Sequence, residues 1–453
     1  MKTTLIFLLL VVSLGMLSAG MAWDWAVQTN CSSIAVNGMV IDKYDNVYLA
    51  TSYYADFNYN DTVLTPVDED ILILKYDSTG KLLWALPAGG KYGDRALAIA
   101  ISPAGGIYVA GDFITAADFG KLKIQSTDET NHDIFVAKVS EAGAWEWVNP
   151  YGSPNEETVF SLAVDSKNNI YLAGSFSEEL SMGKSNLSSY HEVPAFFLAR
   201  LKGQGDVDWA VPIKLVSYGY INKLVLNNKE QPVIAGNFDI EADVDTEIIM
   251  MSNGDWDGFV CQYDQNGAAL WAKYFGGSDT DSVNDMICDK AGNLYITGNF
   301  NNTITLDKEL ISVGDADIMV AKLSPQGKWL WSASCGGEYG DYSVALTLKP
   351  DGNVLVGGNF YESMSMLDRE IVDEGEGGLF IAEADKNGSW LSLLSAAGDG
   401  SESTRNMVTD SNGNVIVIGE YDYTLNIGSA ELVTEGNGYA DKTLFLTKLK
   451  TVK

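Results

Sequence analysis

The sequence predicts an all-β fold, a seven-bladed β-propeller with four-stranded antiparallel blades, on the strength of two recurring markers that stay in phase. A short apolar phrase ending in an aromatic recurs as VYLATSY at Tyr53, IYVAGDF at Phe113, IYLAGSF at Phe176, VIAGNF at Phe238, LYITGNF at Phe300, VLVGGNF at Phe360 and VIVIGEY at Tyr421. The steps between these aromatics are 60, 63, 62, 62, 60 and 61 residues. A tryptophan keeps the same step: Trp25, Trp84, Trp147, Trp209, Trp271, Trp331 and Trp390 precede the aromatics by 28 to 31 residues. A tandem repeat of this length is one supersecondary unit that buries its faces against its neighbours.

Each period holds four strand-like segments, seen in one repeat at 283–289, 293–300, 317–323 and 328–333. Turn chemistry separates them. Asp289-Lys290-Ala291-Gly292-Asn293 lies between the first and second, and Ser324-Pro325-Gln326-Gly327 between the third and fourth. Gly takes the positive-φ position in such hairpins and Asp, Asn or Ser caps the turn, so consecutive strands are antiparallel neighbours. Middle segments such as Ile134-Phe135-Val136-Ala137 are apolar without alternation, which implies burial on both faces. Sheets stacked face to face around an axis satisfy that pattern. The glycines Gly111, Gly174, Gly236, Gly298, Gly358 and Gly419 are expected to let neighbouring blades approach.

The ends of the sequence predict how the ring closes. After Tyr421 another Trp strand falls due about where the chain stops at Lys453, and the spare Trp strand is Trp23-Asp24-Trp25-Ala26-Val27. The N-terminal strand is therefore expected to pair into the last blade and close the ring, leaving no open sheet edge.

Residues 1–22 read as a secretory signal peptide, with Lys2, an apolar run from Leu5 to Leu17 and small residues at Gly20-Met21-Ala22. The domain division is thus 1–22 and a single propeller over 23–453. The predicted location is secreted, periplasmic or cell-surface, without membrane insertion of the cleaved, monomeric chain. The formal net charge of −32 repels phosphate backbones and anionic headgroups, which argues against nucleic-acid partners. Of the four cysteines, Cys261 and Cys288 fall in apolar strands and read as buried thiols, while Cys31 and Cys335 lie in inter-blade loops.

The run Asp-x-x-Gly-Asn-x-Tyr-x-x-Gly-x-Phe from Asp289 to Phe300, then Asp317 before Ile318-Met319-Val320-Ala321-Lys322, then Trp331 and Gly336-Gly337, resembles the SBBP beta-propeller repeats of bacterial exported proteins. The resemblance spans 23–449 and weakens at Gln231-Pro232, Pro194-Ala195 and Gly377-Gly378. It implies a propeller fold and a cell-envelope or extracellular setting, and it implies no catalytic residues.

Loops from fourth to first strand and from second to third share one face of the disc, where loops of several blades converge on the channel. The candidate ligand-binding residues there are Tyr92, Asp94, Arg95, Asp281, Asp285, Tyr339, Asp341 and Arg405, with Asp279 and Glu402 beside them. Aromatics beside carboxylates suit sugar stacking and hydroxyl hydrogen bonds, and clustered carboxylates suit Ca²⁺, the one cofactor left open. Because Asp94, Asp281 and Asp341 occupy related repeat positions, strand capping is the competing reading. His132 and His191 read as solvated loop residues without metal-like partners. Asp70, Asp133, Asp257 and Asp317, and the basic residues Lys75, Lys138, Arg200, Lys322 and Lys448, recur too regularly for a site and read as scaffold. The sequons at Asn30, Asn60, Asn186, Asn301 and Asn387 matter only in a eukaryotic secretory pathway.

The function expected is that of a non-enzymatic exported propeller binding a protein or glycan through this face. The alternatives are a carbohydrate-active hydrolase or lyase using acids at the channel mouth and a structural cell-envelope component. No catalytic residue is assigned.

Overall fold

The computed structural model describes residues 21–451 apart from 30, 32, 191–192, 246, 374–376 and 435–441. Of the expected leader, 1–20 lies outside the described residues, as do Asn30 and His191. Every described element is a β-strand, and among the described residues no helix is long and apolar enough to cross a membrane.

Why these segments form strands is plainest in Ile107–Phe113, Val47–Tyr53 and Val415–Tyr421, where every residue is buried. β-Branched and aromatic side chains pack well on a pleated surface covered on both sides. The turns between them are closed by side chains. Asp289 Oδ1 accepts from the Ala291 and Asn293 amides at 2.9 and 2.8 Å, and Asp410 does the same for Asn412 and Asn414 at 2.9 and 2.8 Å. The third-to-fourth turns place Gly80, Gly267 and Gly388 at φ of 83°, 85° and 85°, a region that favours glycine.

Four antiparallel strands in the order first, second, third, fourth form each unit. The unit starting with Ile34–Ile41 continues through Val47–Tyr53, Asp70–Tyr76 and Leu82–Gly90. Further units follow the same order from Arg95–Ile101, Glu157–Val164, Gly219–Leu226, Asp285–Cys288 and Tyr342–Leu348. In the unit that starts with Glu402–Thr409 and Val415–Tyr421, the third strand is Thr443–Thr451 and its outer neighbour is Met21–Gln28 from the other end of the chain. Met21 and Ala22 belong to that strand, in register with Thr451 and Lys450.

The expected loops between second and third strands are instead paired. Short hairpins stand there, such as Ala116–Phe119 with Leu122–Gln125 and Thr424–Ile427 with Ala430–Val433. In two units the strands simply run on, as Leu294–Thr305 and Glu309–Leu323. These hairpins reach back to the preceding unit. Ala117 pairs with Gly90, Ala242 with Leu215, Ser365 with Gly336 and Asn426 with Ala397. Gly90, Gly277, Gly337 and Gly398 leave no room for a Cβ beside the backbone of that hairpin, which explains the recurring glycine after the fourth strand.

The glycines of the second strand have a different role from the one expected. A Cβ on Gly111, Gly298, Gly358 or Gly419 would strike the carbonyl of Arg95, Ser282, Tyr342 or Ser403, in or just before the first strand of the same unit rather than a neighbouring one. The first strand bulges just beyond this point, between Ala96 and Ala98, Val159 and Ser161, Ile221 and Lys223, Ser343 and Ala345, and Thr404 and Asn406. A bulge tightens local twist and leaves one residue unpaired.

Neighbouring units pack through their first strands. Ile34–Ile41 touches Arg95–Ile101, contacts of this kind continue from unit to unit, and Glu402–Thr409 touches Ile34–Ile41 in turn. The tryptophans clasp the outer edge. Trp84 covers Gly143 and donates its indole N–H to the Glu141 carbonyl at 3.2 Å, and Trp331 does the same over Gly388, donating to Lys386 at 3.0 Å. Trp25 covers Gly80 in the same way. The recurring basic residues are scaffold: Lys75 and Lys322 lie over the Tyr48 and Tyr295 rings at 4.8 and 4.6 Å. Where Glu383 replaces the base, Lys349 in a turn supplies the charge, pairing with it at 2.9 Å while both are buried. All four cysteines are free thiols.

Candidate functional site

First strands from all these units line an axial channel of about 530 Å³. The unpaired bulge residues point the repeat at this channel: Asn37, Leu97, Phe160, Asn222, Val344 and Arg405, with Asn284 at the equivalent place. Three are structural ties. Asn37, Asn222 and Asn284 donate to the carbonyls of Ala96, Val283 and Ser343 in the next unit at 2.9, 2.7 and 2.7 Å. Leu97, Phe160, Val344 and Arg405 depart from that pattern. Of the predicted residues, Arg405 and Asp285 line the channel, each tied to a partner. Arg405 donates to Glu420 at 2.8 Å; Asp285 accepts from Lys223 at 2.9 Å and from the Leu346 amide at 2.9 Å.

Asp94, Asp281 and Asp341 lie below the surface rather than on it: each has 0 % exposure. They lie in the seams between units, with Glu157 and Glu402 at the same repeat position. Their backbone amides explain the placement. Asp94, Glu157, Asp281 and Asp341 donate to the carbonyls of Glu69, His132, Trp256 and Ala316 at 2.7, 3.0, 2.7 and 2.7 Å, which sets each beside the recurrent Asp70, Asp133, Asp257 or Asp317. Asp341 Oδ2 takes the Gly337 amide and Asp281 Oδ2 the Gly277 amide, both at 2.6 Å. One oxygen each of Asp70, Asp133, Asp257 and Asp317 has no hydrogen-bonding partner among the described residues. Burial, reinforced by the facing carboxylate, pushes Asp94 up to about 8, Glu157 to about 8, and Asp281 and Asp341 to about 7. Glu402, facing Asp373 and Asp422, is likewise pushed up to about 8 by burial. The capping reading of these acids is the one their hydrogen bonds support.

A charged cluster joins three units on the face that carries the hairpins. Arg95 grips the buried Asp112 with two bonds of 2.8 and 2.7 Å, and Thr158 donates to Asp112 at 2.6 Å. His132 lies in the loop before the third strand, as expected, but is half-buried and paired. Its ring meets Glu156 at 2.7 Å with the side chain 22 % exposed, and that hydrogen bond raises its pKa. Tyr54 and Glu69 bond to one another beside Arg95.

Tyr92 and Tyr339 are exposed as expected. Lys91 lies over the Tyr92 ring at 4.8 Å, and Tyr339 bonds to Glu362. Sequence reasoning missed a larger group. Tyr220 and Tyr342, both exposed, hold the repeat position of Arg95, and Trp256 and Tyr361 pack on them. The signal was available in the aligned repeat: that position reads Ala35, Arg95, Thr158, Tyr220, Ser282, Tyr342 and Ser403.

Radially arranged four-stranded sheets around a lined channel define a β-propeller, and the chain is a β-propeller repeat protein. The SBBP family profile, described as a beta-propeller repeat, matches residues 270–304. An uncharacterized WD repeat-containing protein of Acanthamoeba polyphaga mimivirus is 21% identical over 457 residues, covering 82% of this chain and 33% of that protein. The regulatory protein FlaEY of Caulobacter vibrioides is 27% identical over 208 residues, covering 44% of this chain and 21% of that protein. The chain thus spans a third or less of the length of these relatives. Among solved structures, hydrazine synthase of Kuenenia stuttgartiensis aligns with a TM-score of 0.46 at 10% identity, over 91% of this chain and 98% of that one.

Proposed function

We propose that the chain is an exported, ring-closed, seven-bladed propeller whose hairpin-bearing face binds a glycan without chemical turnover. The observation that carries the reading is the set of exposed tyrosines that the repeat places at strand ends and loops of this face, Tyr54, Tyr92, Tyr220, Tyr339, Tyr342 and Tyr361. Rings of this kind supply flat apolar area beside a polar edge, which matches the two faces of a sugar.

Closure is supported by the pairing of Met21–Gln28 with Thr443–Thr451, by the contact of Glu402–Thr409 with Ile34–Ile41, and by Trp25 over Gly80. Export rests on the leader-like residues 1–22. Ca²⁺ is kept as a candidate cofactor of carboxylates on this face.

Screening the chain against an oligosaccharide array, with Ca²⁺ and with chelator, tests the reading; binding without change in the bound glycan is the expected result. Absence of glycan binding would overturn it. A second reading, glycan cleavage, draws on the Tyr54, Glu69, Arg95, His132 and Glu156 cluster, which brings an acid–base pair beside a cation. Release of shortened products from a bound glycan, lost in His132→Ala, would favour that reading instead.

A further inference from the structure

We infer that the cleft over the unit that starts with Asp285–Cys288, between Tyr342 and the Tyr220–Trp256 stack, is the binding site for an uncharged oligosaccharide. The inference rests on the glycan-binding reading and gives it a location and a ligand class.

The cleft has a volume of about 490 Å³ and its lining includes Thr280, Asn284, Asn299, Asn301, Asp315 and Tyr342. That size suits a small ligand. On one side stands Tyr342, 44 % exposed, its ring fixed edge-to-face against Tyr361 at 6.3 Å and 87°. In the preceding unit Tyr220, 54 % exposed and stacked on Trp256 at 5.4 Å and 16°, holds the repeat position of Tyr342. Two backbone links set this stack beside the cleft. Tyr220 is in register with Asn237, whose carboxamide accepts the Val283 amide at 2.8 Å, and the Trp256 carbonyl accepts the Asp281 amide at 2.7 Å. Thr280, Ser282 and Asn284 line the cleft, and these links put the Tyr220–Trp256 stack on the side of the preceding unit.

The repeat explains why the cleft occurs here. Tyrosine holds the position of Arg95 in the units on either side, and the small Ser282 holds it between them. A small residue flanked by two large aromatic ones makes a trough where other sectors of the ring have none of these pairs.

The polar groups in the trough are prearranged. Asn284 donates to Asn299 at 2.5 Å and to the Ser343 carbonyl at 2.7 Å, and Asn299 donates to the Asp341 carbonyl at 2.6 Å. Among the described residues the Asn301 carboxamide and the Asp315 carboxylate have no hydrogen-bonding partner and remain available to a ligand. A sugar presents C–H faces that pack on aromatic rings, and its hydroxyls both donate and accept, as carboxamides and carboxylates require.

Charge selects the class. None of the lining side chains is a lysine or arginine, while Asp315 lies in the cleft. Asp279 stands at its edge, held below the usual carboxylate range by hydrogen bonds from Ser278 and Asn302. A sulfated or uronate-containing glycan would be repelled by uncompensated negative charge here; an uncharged one would not.

The test is an array of neutral, sulfated and uronate-containing oligosaccharides probed with the full chain, followed by calorimetry on the hits. Tyr342→Ala and Trp256→Ala are each expected to weaken binding of a neutral oligosaccharide about tenfold, the equivalent of about 1.4 kcal/mol, and Tyr342→Phe to retain most of it. Tyr44→Ala, at an exposed residue in the turn between the first and second strands of another unit, is expected to leave affinity unchanged. Unaltered melting temperatures of the variants keep a folding defect from imitating a binding one. Neutral-glycan binding that survives both cleft substitutions overturns the cleft while leaving the glycan reading intact. Binding confined to anionic glycans overturns the ligand class. No binding to any glycan overturns the glycan reading, and the cleft assignment with it.

Discussion

Trp25 covers Gly80, so a side chain from the strand Met21–Gln28 rests on a turn of the unit that starts at Ile34. The same relation links Trp84 with Gly143 and Trp331 with Gly388 within the body of the chain. It ties the sheet shared by the two ends of the sequence to the next unit, and within that sheet Lys450 and Asp24 stand at 2.6 Å.

If these contacts close the ring, Trp25→Ala should cost about 2 kcal/mol of stability by loss of buried aromatic area. Deleting 23–28 should cost more and leave Thr443–Thr451 as an open edge that promotes association. Thermal melting and size-exclusion chromatography check both. Unchanged melting and a monomeric profile after deletion would refute closure by this strand.

The seam carboxyls make stability depend on pH in an unusual direction. Asp94, Glu157, Asp281, Asp341 and Glu402 hold protons in the folded chain up to about 8, 8, 7, 7 and 8. In the unfolded chain they lose them near pH 4. The folded state therefore binds more protons between these limits. Their contribution is fully present below about pH 4, falls as pH rises, and is gone above about pH 8. Each titrating carboxyl contributes a slope of about 1.4 kcal/mol per pH unit. Chemical denaturation between pH 5 and 8 should show stability declining, and Asp341→Asn should make the decline shallower. A flat or rising profile would contradict these pKa shifts.

Lys349 and Glu383 form a buried pair, with side chains 6 % and 4 % exposed. Lys349→Met should cost about 3 to 5 kcal/mol, because it strands a buried carboxylate. Adding Glu383→Gln should recover much of the loss. Equal destabilisation by the single and double variants in urea titrations would show that the charge pairing is not the cause.

Gly298 faces the Ser282 carbonyl beneath the trough. Gly298→Ala should push the first strand away and cost about 1 to 3 kcal/mol, as overpacking does. Differential scanning calorimetry reads the loss; an unchanged melting temperature would mean that the bulge absorbs the added methyl group without strain.

The sequence by itself determined the all-β architecture, the strand order within a unit and the turn positions. Those depend on local chemistry, apolar runs and Asp-x-x-Gly turns, repeated in phase. Exposure of Tyr92 and Tyr339 was legible for the same reason. The repeat also hinted that Asp94, Asp281 and Asp341 were scaffold, but only the tertiary structure put them at 0 % exposure, since burial depends on which neighbouring unit covers a side chain. It likewise turned the expected second-to-third loops into hairpins, gave Gly111 and its relatives a partner in their own unit, and drew His132 onto Glu156. Tyr220, Ser282 and Tyr342 are about 60 residues apart in sequence and share a repeat position. That they make one trough is decided by the side-by-side packing of units, which no local pattern encodes.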